Sequence, residues 1–230
     1  MDLKQKIKNI KNSIVSVGIL NGDQLNILGS GFCAINTQHI ITASHLFNNF
    51  SPEQLEKLGC MVVSSETSVG LTHYEWFPAE IINKSPENDT AVLKLKDSDR
   101  KNLLKPLEID FSEDVSEGQD VYFIGFPYAA NLMKDGFGVT LIVNKGIISS
   151  VKRKGQAPNI LDWFIVDAIS NPGNSGCPLF DIESNKVIGL MSISFSKTSQ
   201  VNPAFDIREP MHIAGSKPMF LVKEMLENIK

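Results

Sequence analysis

The sequence predicts an all-β protein: two packed six-stranded antiparallel barrels followed by a C-terminal helix. Two observations carry this. Short apolar or alternating segments recur along the chain, each bounded by Gly, Pro, Asn, Asp or Ser clusters, which is the signature of strands joined by turns. The length of 230 residues allows one large domain or two small ones, and a pair of packed six-stranded barrels fits it. A run of apolar residues at helical spacing then appears only at the two ends of the chain.

Taken in order, residues 1–11 predict an N-terminal amphipathic helix. Leu3, Ile7, Ile10 and Ile14 fall at helical spacing with lysines between them. Packing on the body is the first reading of that face, and contact with a membrane surface is the second. The first barrel is expected over about 12–97, with strands at 13–20, 25–35, 39–43, 60–64, 77–82 and 90–95. Between the third and fourth, Ser51-Pro52-Glu53-Gln54 reads as a helix start. Ser51 caps, Pro52 takes the first turn, Gln54 closes a capping box, and Gly59 is expected to stop the helix. A polar connector is expected over 98–118. The second barrel is expected over about 119–215, with strands at 120–125, 138–151, 160–168, 177–181, 186–195 and 203–214. Over 216–230, Met219, Val222, Met225, Leu226 and Ile229 predict the closing C-terminal helix.

One stretch asks for chemistry. Asn171-Pro172-Gly173-Asn174-Ser175-Gly176-Cys177-Pro178-Leu179 sets a serine between glycines on a tight turn between two apolar runs. Glycine on both sides permits positive φ, so the turn can push a hydroxyl outward and aim neighbouring amides at one point. That arrangement suits acyl transfer, and it also suits an ordinary hairpin. Upstream, Ile40-Ile41-Thr42-Ala43-Ser44-His45 is a strand ending in a histidine, and Asp89 opens the alternating run Thr90-Ala91-Val92-Leu93-Lys94-Leu95. Taken alone, His45 reads equally as a strand-end histidine and Asp89 as a turn residue.

Together the three segments resemble the trypsin-like (chymotrypsin-fold) serine peptidases. Thr-Ala-Ser-His ending at His45 is similar to that family's Thr-Ala-Ala-His. Asp89-Thr-Ala-Val-Leu-Lys-Leu is similar to its Asp-Ile-Ala-Leu-Leu-Lys-Leu, and Gly173-Asn-Ser-Gly-Cys-Pro-Leu to its Gly-Asp-Ser-Gly-Gly-Pro-Leu. The run from Asp167 to Ser175 resembles the HtrA-type branch most. The resemblance implies Greek-key barrels, a catalytic triad of His45, Asp89 and Ser175, and an oxyanion hole at Gly173, Asn174 and Ser175, formed by the amides of Gly173 and Ser175. It implies a serine endopeptidase acting on protein or peptide substrates without cofactor or metal. It also leaves no stretch of this sequence for the PDZ module that HtrA-type enzymes usually carry.

Two departures matter. The residue before the serine is Asn174, where extracellular relatives have an aspartate that pairs with a new amino terminus. A neutral amide cannot anchor an ammonium, so activation by N-terminal cleavage is not expected. The oxyanion loop must be ordered by its own contacts or by an activating protein partner. Cys177 stands where the family has glycine, and its β-carbon must be accommodated behind the nucleophile. A small buried residue and a redox switch are the two readings of it.

Substrate preference follows from the resemblance. A peptide would add as a strand to the edge Ser192-Ile193-Ser194, with a pocket based near Ile169 and Ser170. Ile169 supplies no carboxylate for a basic residue, so cleavage after a small or medium apolar side chain is expected. His212 could stand in the far wall and favour an acidic or amide side chain, or be a surface or core histidine. Asp206 and Arg208, in the insertion over 197–209, could also reach the pocket.

Composition excludes more than it assigns. A net charge of −4 and an acid pI give no nucleic-acid footprint. Lys152-Arg153-Lys154 reads as an exposed turn. No apolar run reaches the roughly 20 residues that span a bilayer, and the start carries no signal-peptide cleavage site. His39, His73 and His212 are too scattered for a metal site. The three cysteines, Cys33, Cys60 and Cys177, are an odd number, and Leu46 follows His45 where secreted relatives often have a bridged cysteine. A reducing, cytoplasmic setting is therefore expected. Three functions remain: a housekeeping peptidase, a regulated intracellular protease with few targets, and a catalytically latent or inactive protease-fold protein-binding module.

Overall fold

In the computed structural model, residues 2–67, 72–96, 103–158, 160–198 and 208–229 are described. They form two closed six-stranded antiparallel barrels. The first contains β1 (Ile14–Asn21), β2 (Gln24–Cys33), β3 (His39–Ala43), β4 (Leu58–Glu66), β5 (Thr72–Ser85) and β6 (Thr90–Leu95), closed in the order β1-β2-β3-β6-β5-β4. The second contains β7 (Asp120–Gly125), β8 (Ile142–Lys152), β9 (Trp163–Val166), β10 (Pro178–Asp181), β11 (Val187–Thr198) and β12 (Arg208–Pro218). Its order, β10-β11-β12-β9-β8-β7, is the same circuit read in reverse, with β7 standing where β1 does and β10 where β4 does. Closure leaves neither sheet with a bare edge over its paired length.

Each barrel encloses its own core. Val15, Val17, Ile40, Leu58, Phe77 and Leu93 fill the first, and Val121, Phe123, Phe164, Val166, Leu179 and Met191 the second. A third cluster joins them. Ile14, Phe32 and Ile41 from the first barrel meet Tyr122, Ile124, Phe180 and Leu190 from the second. Burying each such Ile, Leu or Phe contributes about 1.5–3 kcal/mol, so this seam holds the barrels together across the cleft. Tyr122 and Phe180 stack within it at 4.7 Å between ring centroids.

The chain ends seal that seam. Helix α1 (Leu3–Ile10) is capped by Asp2, whose carboxylate accepts from the Gln5 amide at 2.8 Å. Its apolar face, Leu3, Ile7 and Ile10, packs on the inter-barrel cluster, so the body of the protein and not a membrane covers it. At the other end β12 runs to Pro218, and a 3-10 turn (Met219–Val222) leads into the short helix α4 (Lys223–Glu227). Helical structure expected from 216 therefore begins later, because Ser216 pairs with Met191 and Phe164 as barrel wall. Met219, Val222 and Leu226 are buried in the seam. No helix among the described residues is long and apolar enough to cross a membrane.

Several boundaries differ from the sequence reading for local reasons. Ser51 and Gln54 do form a capping box over α2 (Pro52–Leu55), with the Ser51 amide donating to Gln54 Oε1 at 2.9 Å. Gly59 does not stop that helix. It lies in β4, where a β-carbon would sit 2.4 Å from the Phe77 carbonyl and 2.5 Å from the Trp76 ring. A further short helix, α3 (Ala129–Lys134), occupies the loop after β7, and β8 starts only at Ile142. Of the insertion over 197–209, residues 199–207, Asp206 among them, lie outside the described residues.

Candidate active site

The cleft between the barrels brings together residues that are far apart in the chain. His45 follows β3 on a 3-10 turn (Ser44–Phe47), and Asp89 precedes β6. Because β3 and β6 pair with Ala43 opposite Thr90, the two residues just beyond that pair are forced together. His45 Nδ1 lies 2.7 Å from Asp89 Oδ2, and the His45 amide donates to Asp89 Oδ1 at 2.9 Å. The Ser44 hydroxyl donates to Oδ1 at 3.2 Å, and the Ser192 hydroxyl donates to Oδ2 from the opposite barrel. Asp89 itself adopts a left-handed φ of 48°, which aspartate tolerates better than most residues. The Ser44 amide donates to the Asp89 carbonyl at 3.1 Å, so backbone and side chain are both fixed.

Burial pushes the Asp89 carboxyl up, and hydrogen bonds from His45 and Ser192, with the neighbouring imidazole, more than offset it. The group stays below its ordinary value. The carboxylate is thus held ionised although its side chain is 13% exposed, while the His45 ring is 39% exposed and faces the cleft.

Ser175 stands on the second barrel. Gly173 and Gly176 flank its turn with φ of 101° and 86°, the positive values the sequence anticipates. Neither position has room for a side chain. A β-carbon on Gly173 would lie 2.5 Å from the Phe126 carbonyl, and one on Gly176 would lie 2.2 Å from the Ser30 carbonyl. The Gly176 amide donates to the Met191 carbonyl at 2.8 Å, and the Cys177 amide to the Asn174 carbonyl at 3.0 Å. Among the described residues, the amides of Gly173 and Ser175 find no acceptor. The Asn174 amide between them donates to the Asn171 carbonyl at 2.9 Å, which leaves the amides of Gly173 and Ser175 as the free donors of the turn. The Asn174 side chain is fully buried, with no hydrogen-bond partner at either end of its amide. The Ser175 hydroxyl donates to the Ser192 carbonyl at 3.4 Å, a long bond, and the Ser192 hydroxyl in turn reaches Asp89.

Cys177 is fully buried among Val121, Phe123, Leu179 and Met191, and burial pushes its thiol well above its ordinary value. Its β-carbon is accommodated because the facing residue is Gly125, where a β-carbon would lie 2.9 Å from it. The thiol is a space-filling group, and its inaccessibility removes the redox reading.

Ser192 and Ile193, of the candidate substrate residues, line the groove that also contains His45 and Asp89. Ser192, Ile193 and Ser194 are on β11. Its partner β10 pairs as far as Leu190, and Met191 still exchanges backbone bonds with Gly176 and Cys177; beyond Met191, β11 has backbone bonds on the β12 side alone among the described residues. Ile193 and Ile169 are each 37% exposed, whereas Ser170 is buried. His212 lies exposed on β12, two residues before Ala214, which pairs with Ser194.

A groove of about 410 Å³ opens beside the His45–Asp89 pair. Its second-barrel wall contains Leu161, Trp163, Ile193 and Lys217, none of which except Ile193 the sequence reading identified. Lys217 is 5% exposed, with its ammonium 4.1 Å from the Trp163 ring centroid, and desolvation lowers its basicity despite the carboxylates of Asp89 and Asp162. Only the strand order, which sets β12 beside β9 and β11, places it there. Among the described residues no cluster of His, Cys, Asp or Glu could hold a metal ion.

Comparison with known proteins agrees with this geometry. Residues 29–190 match the family described as the trypsin-like peptidase domain. Protease Do-like 5, chloroplastic, of Arabidopsis thaliana is 31% identical over 172 residues, 74% of this chain and 49% of that protein. A probable periplasmic serine endoprotease DegP-like of Halomonas elongata is 28% identical over 205 residues, 85% of this chain and 37% of that protein. The chain thus spans less than half the length of these curated relatives. The crystal structure of Deg5 superposes with a TM-score of 0.66 at 24% identity, over 97% of this chain and 94% of that one, which establishes the shared fold. By the family match, which contains His45, Asp89 and Ser175, this chain belongs to the trypsin-like peptidases.

Proposed function

We propose that the chain is a serine endopeptidase. The observation that carries the reading is the doubly bonded His45–Asp89 pair, linked through Ser192 to a serine whose turn leaves two amides without acceptors among the described residues. In this mechanism His45 Nε2 takes the proton of Ser175 Oγ as that oxygen attacks the scissile carbonyl. The Gly173 and Ser175 amides receive the negative charge that develops on the carbonyl oxygen. His45 then gives its proton to the leaving amine, and water repeats the sequence to release the acyl group. Asp89 keeps the Nδ1 proton in place and stabilises the imidazolium.

The free side of β11 supports peptide binding by strand addition, with main-chain bonds to Ser192 and Ser194. The exposed apolar Ile169 and Ile193, with Ser170 buried, favour a small or medium apolar side chain before the cut bond. His212 could add a polar contact at the far wall. Three buried thiols, with no disulfide, favour a reducing compartment and a regulated intracellular role with few targets. Fractionation, and selective cleavage of one partner with poor activity on casein, test that part.

The chemistry is tested with a fluorophosphonate probe on wild type, Ser175→Ala and His45→Ala. Labelling of wild type alone is expected. Removing a triad member typically costs about a million-fold in turnover, so activity within tenfold of wild type in Ser175→Ala would sink the assignment. A well-folded wild type that does not label would favour a protein-binding module on this fold.

A further inference from the structure

With Asn174 in place of a carboxylate that could pair with an ammonium, the oxyanion loop needs other contacts to hold it, and the structure shows them. Ser30, on β2 of the first barrel, is fully buried, and its three polar groups are all engaged around the nucleophile turn. Its amide donates to the Ser175 carbonyl at 2.9 Å. Its hydroxyl accepts from the Phe126 amide at 2.8 Å and donates to the Gly173 carbonyl at 2.7 Å. Its own carbonyl accepts from Thr42 Oγ1 at 2.6 Å. The hydroxyl's single proton can go only to Gly173, because Phe126 offers a donor and Gly173 an acceptor.

Gly173 is thereby fixed at both of its peptide planes. The carbonyl before it, on Pro172, accepts from the Tyr128 amide at 2.8 Å, and its own carbonyl is held by Ser30. With both carbonyls bonded elsewhere, its amide is left without an acceptor among the described residues. Two glycines clear the space for Ser30. A β-carbon on Gly125 would lie 2.7 Å from its hydroxyl, and one on Gly176 2.2 Å from its carbonyl.

We propose that Ser30 is a positioning residue for the oxyanion hole: one hydroxyl of the first barrel orients the Gly173 amide of the second. The proposal rests on the peptidase reading above. It assigns Ser30 no contact with substrate and no part in the His45–Asp89 pair. Its loss should therefore weaken binding of the tetrahedral species and leave ground-state binding and the imidazole alone.

The experiment compares the full chain as wild type, Ser30→Ala, Ser30→Cys and Ser175→Ala. It reads labelling rate, kcat and KM on a peptide with an apolar residue before the cut bond, inhibition by the matching peptide boronate, and thermal unfolding. Removing an oxyanion donor outright costs about 100- to 1,000-fold, so mispositioning one in Ser30→Ala should lower kcat by about 10- to 100-fold. KM should stay within about threefold, boronate affinity should fall in step with kcat, and the acid limb of the pH profile should not move. Ser30→Cys, with a weak donor, should recover part of kcat. Wild-type kcat in folded Ser30→Ala, or a loss confined to KM, overturns the proposal. If Ser30→Ala does not fold, wild-type kcat in Ser30→Cys overturns it instead. A wild type that labels and hydrolyses while Ser30→Ala is unchanged defeats this proposal alone; a wild type inert in both assays defeats the peptidase reading and this one with it.

Discussion

The two halves of the cleft are built on opposite principles. On the first barrel, Asp89 accepts four hydrogen bonds on its two oxygens, from Ser44, the His45 amide, the His45 ring and Ser192. A carboxylate has about four acceptor sites, so this one is saturated. On the second barrel, among the described residues, the amides of Gly173 and Ser175 have no acceptor, the Asn174 side chain is buried without a partner, and β11 beyond Met191 has backbone bonds on one side only. Saturation suits a group that must hold an imidazole in one orientation through the whole cycle. Unmet donors suit a place where charge appears only in passing. Donors left without partners destabilise the resting fold and reward only the species that arrives.

The largest way to break this contrast is Asp89→Asn. The carbonyl of asparagine can keep the His45 amide bond, but its NH2 would face the ring nitrogen and enforce the wrong tautomer. About 10⁴-fold loss of kcat is expected, with the fold retained by melting temperature. The same variant reports linkage. The folded carboxyl lies below its ordinary value, so the stability it contributes is fully present above the unfolded value of about 3.9 and is lost as pH falls through the depressed one. Urea unfolding from neutral pH down through that window should therefore be less acid-sensitive in Asp89→Asn than in wild type. Equal slopes would mean that the saturated carboxylate carries no net stabilisation.

How much of this was legible in the sequence depends on the range of the contacts. His45, Asp89 and Ser175 each sit in a local pattern, a strand end or a glycine turn, and the chain order of the three could be read directly. The capping box at Ser51 and Gln54 was legible for the same reason. Ser30, Lys217 and Trp163 carry no local signal. Ser30 reaches Gly173 only because the barrels pack, and Lys217 reaches the groove only because β12 lies beside β9 and β11. Gly59 shows the reverse error. Its local context looked like a helix stop, whereas the reason for glycine is the Trp76 ring against β4. Helix α3 was missed because it begins at a left-handed Tyr128 with no capping side chain.

A smaller effect tests whether the halves are electrically separate. Lys217 belongs to the second barrel, yet its ammonium lies in the field of Asp89. Removing that positive charge changes the field in which the His45–Asp89 pair works. Lys217→Met should shift the acid limb of kcat/KM upward by a few tenths of a pH unit, with kcat at the plateau within about threefold of wild type. The shift should shrink in high salt, though less than for an exposed pair. An unmoved limb would place Lys217 in the groove wall only, as a stem packed on Trp163.

The smallest expected effect on activity is at Cys177, directly behind the unmet donors. The thiol fills space against Val121, Phe123 and Met191, and Gly125 already yields room for its β-carbon. Cys177→Gly removes buried atoms and adds backbone freedom, so it should lower stability by about 1–3 kcal/mol in urea unfolding. The nucleophile turn, however, is tied by bonds that do not involve this side chain: Ser30 to Gly173 and Ser175, Gly176 to Met191, and Tyr128 to Pro172. Turnover at temperatures well below melting should therefore be retained or raised. A loss of activity larger than the loss of stability explains would mean that packing behind the turn, and not the latch in front of it, sets the oxyanion hole.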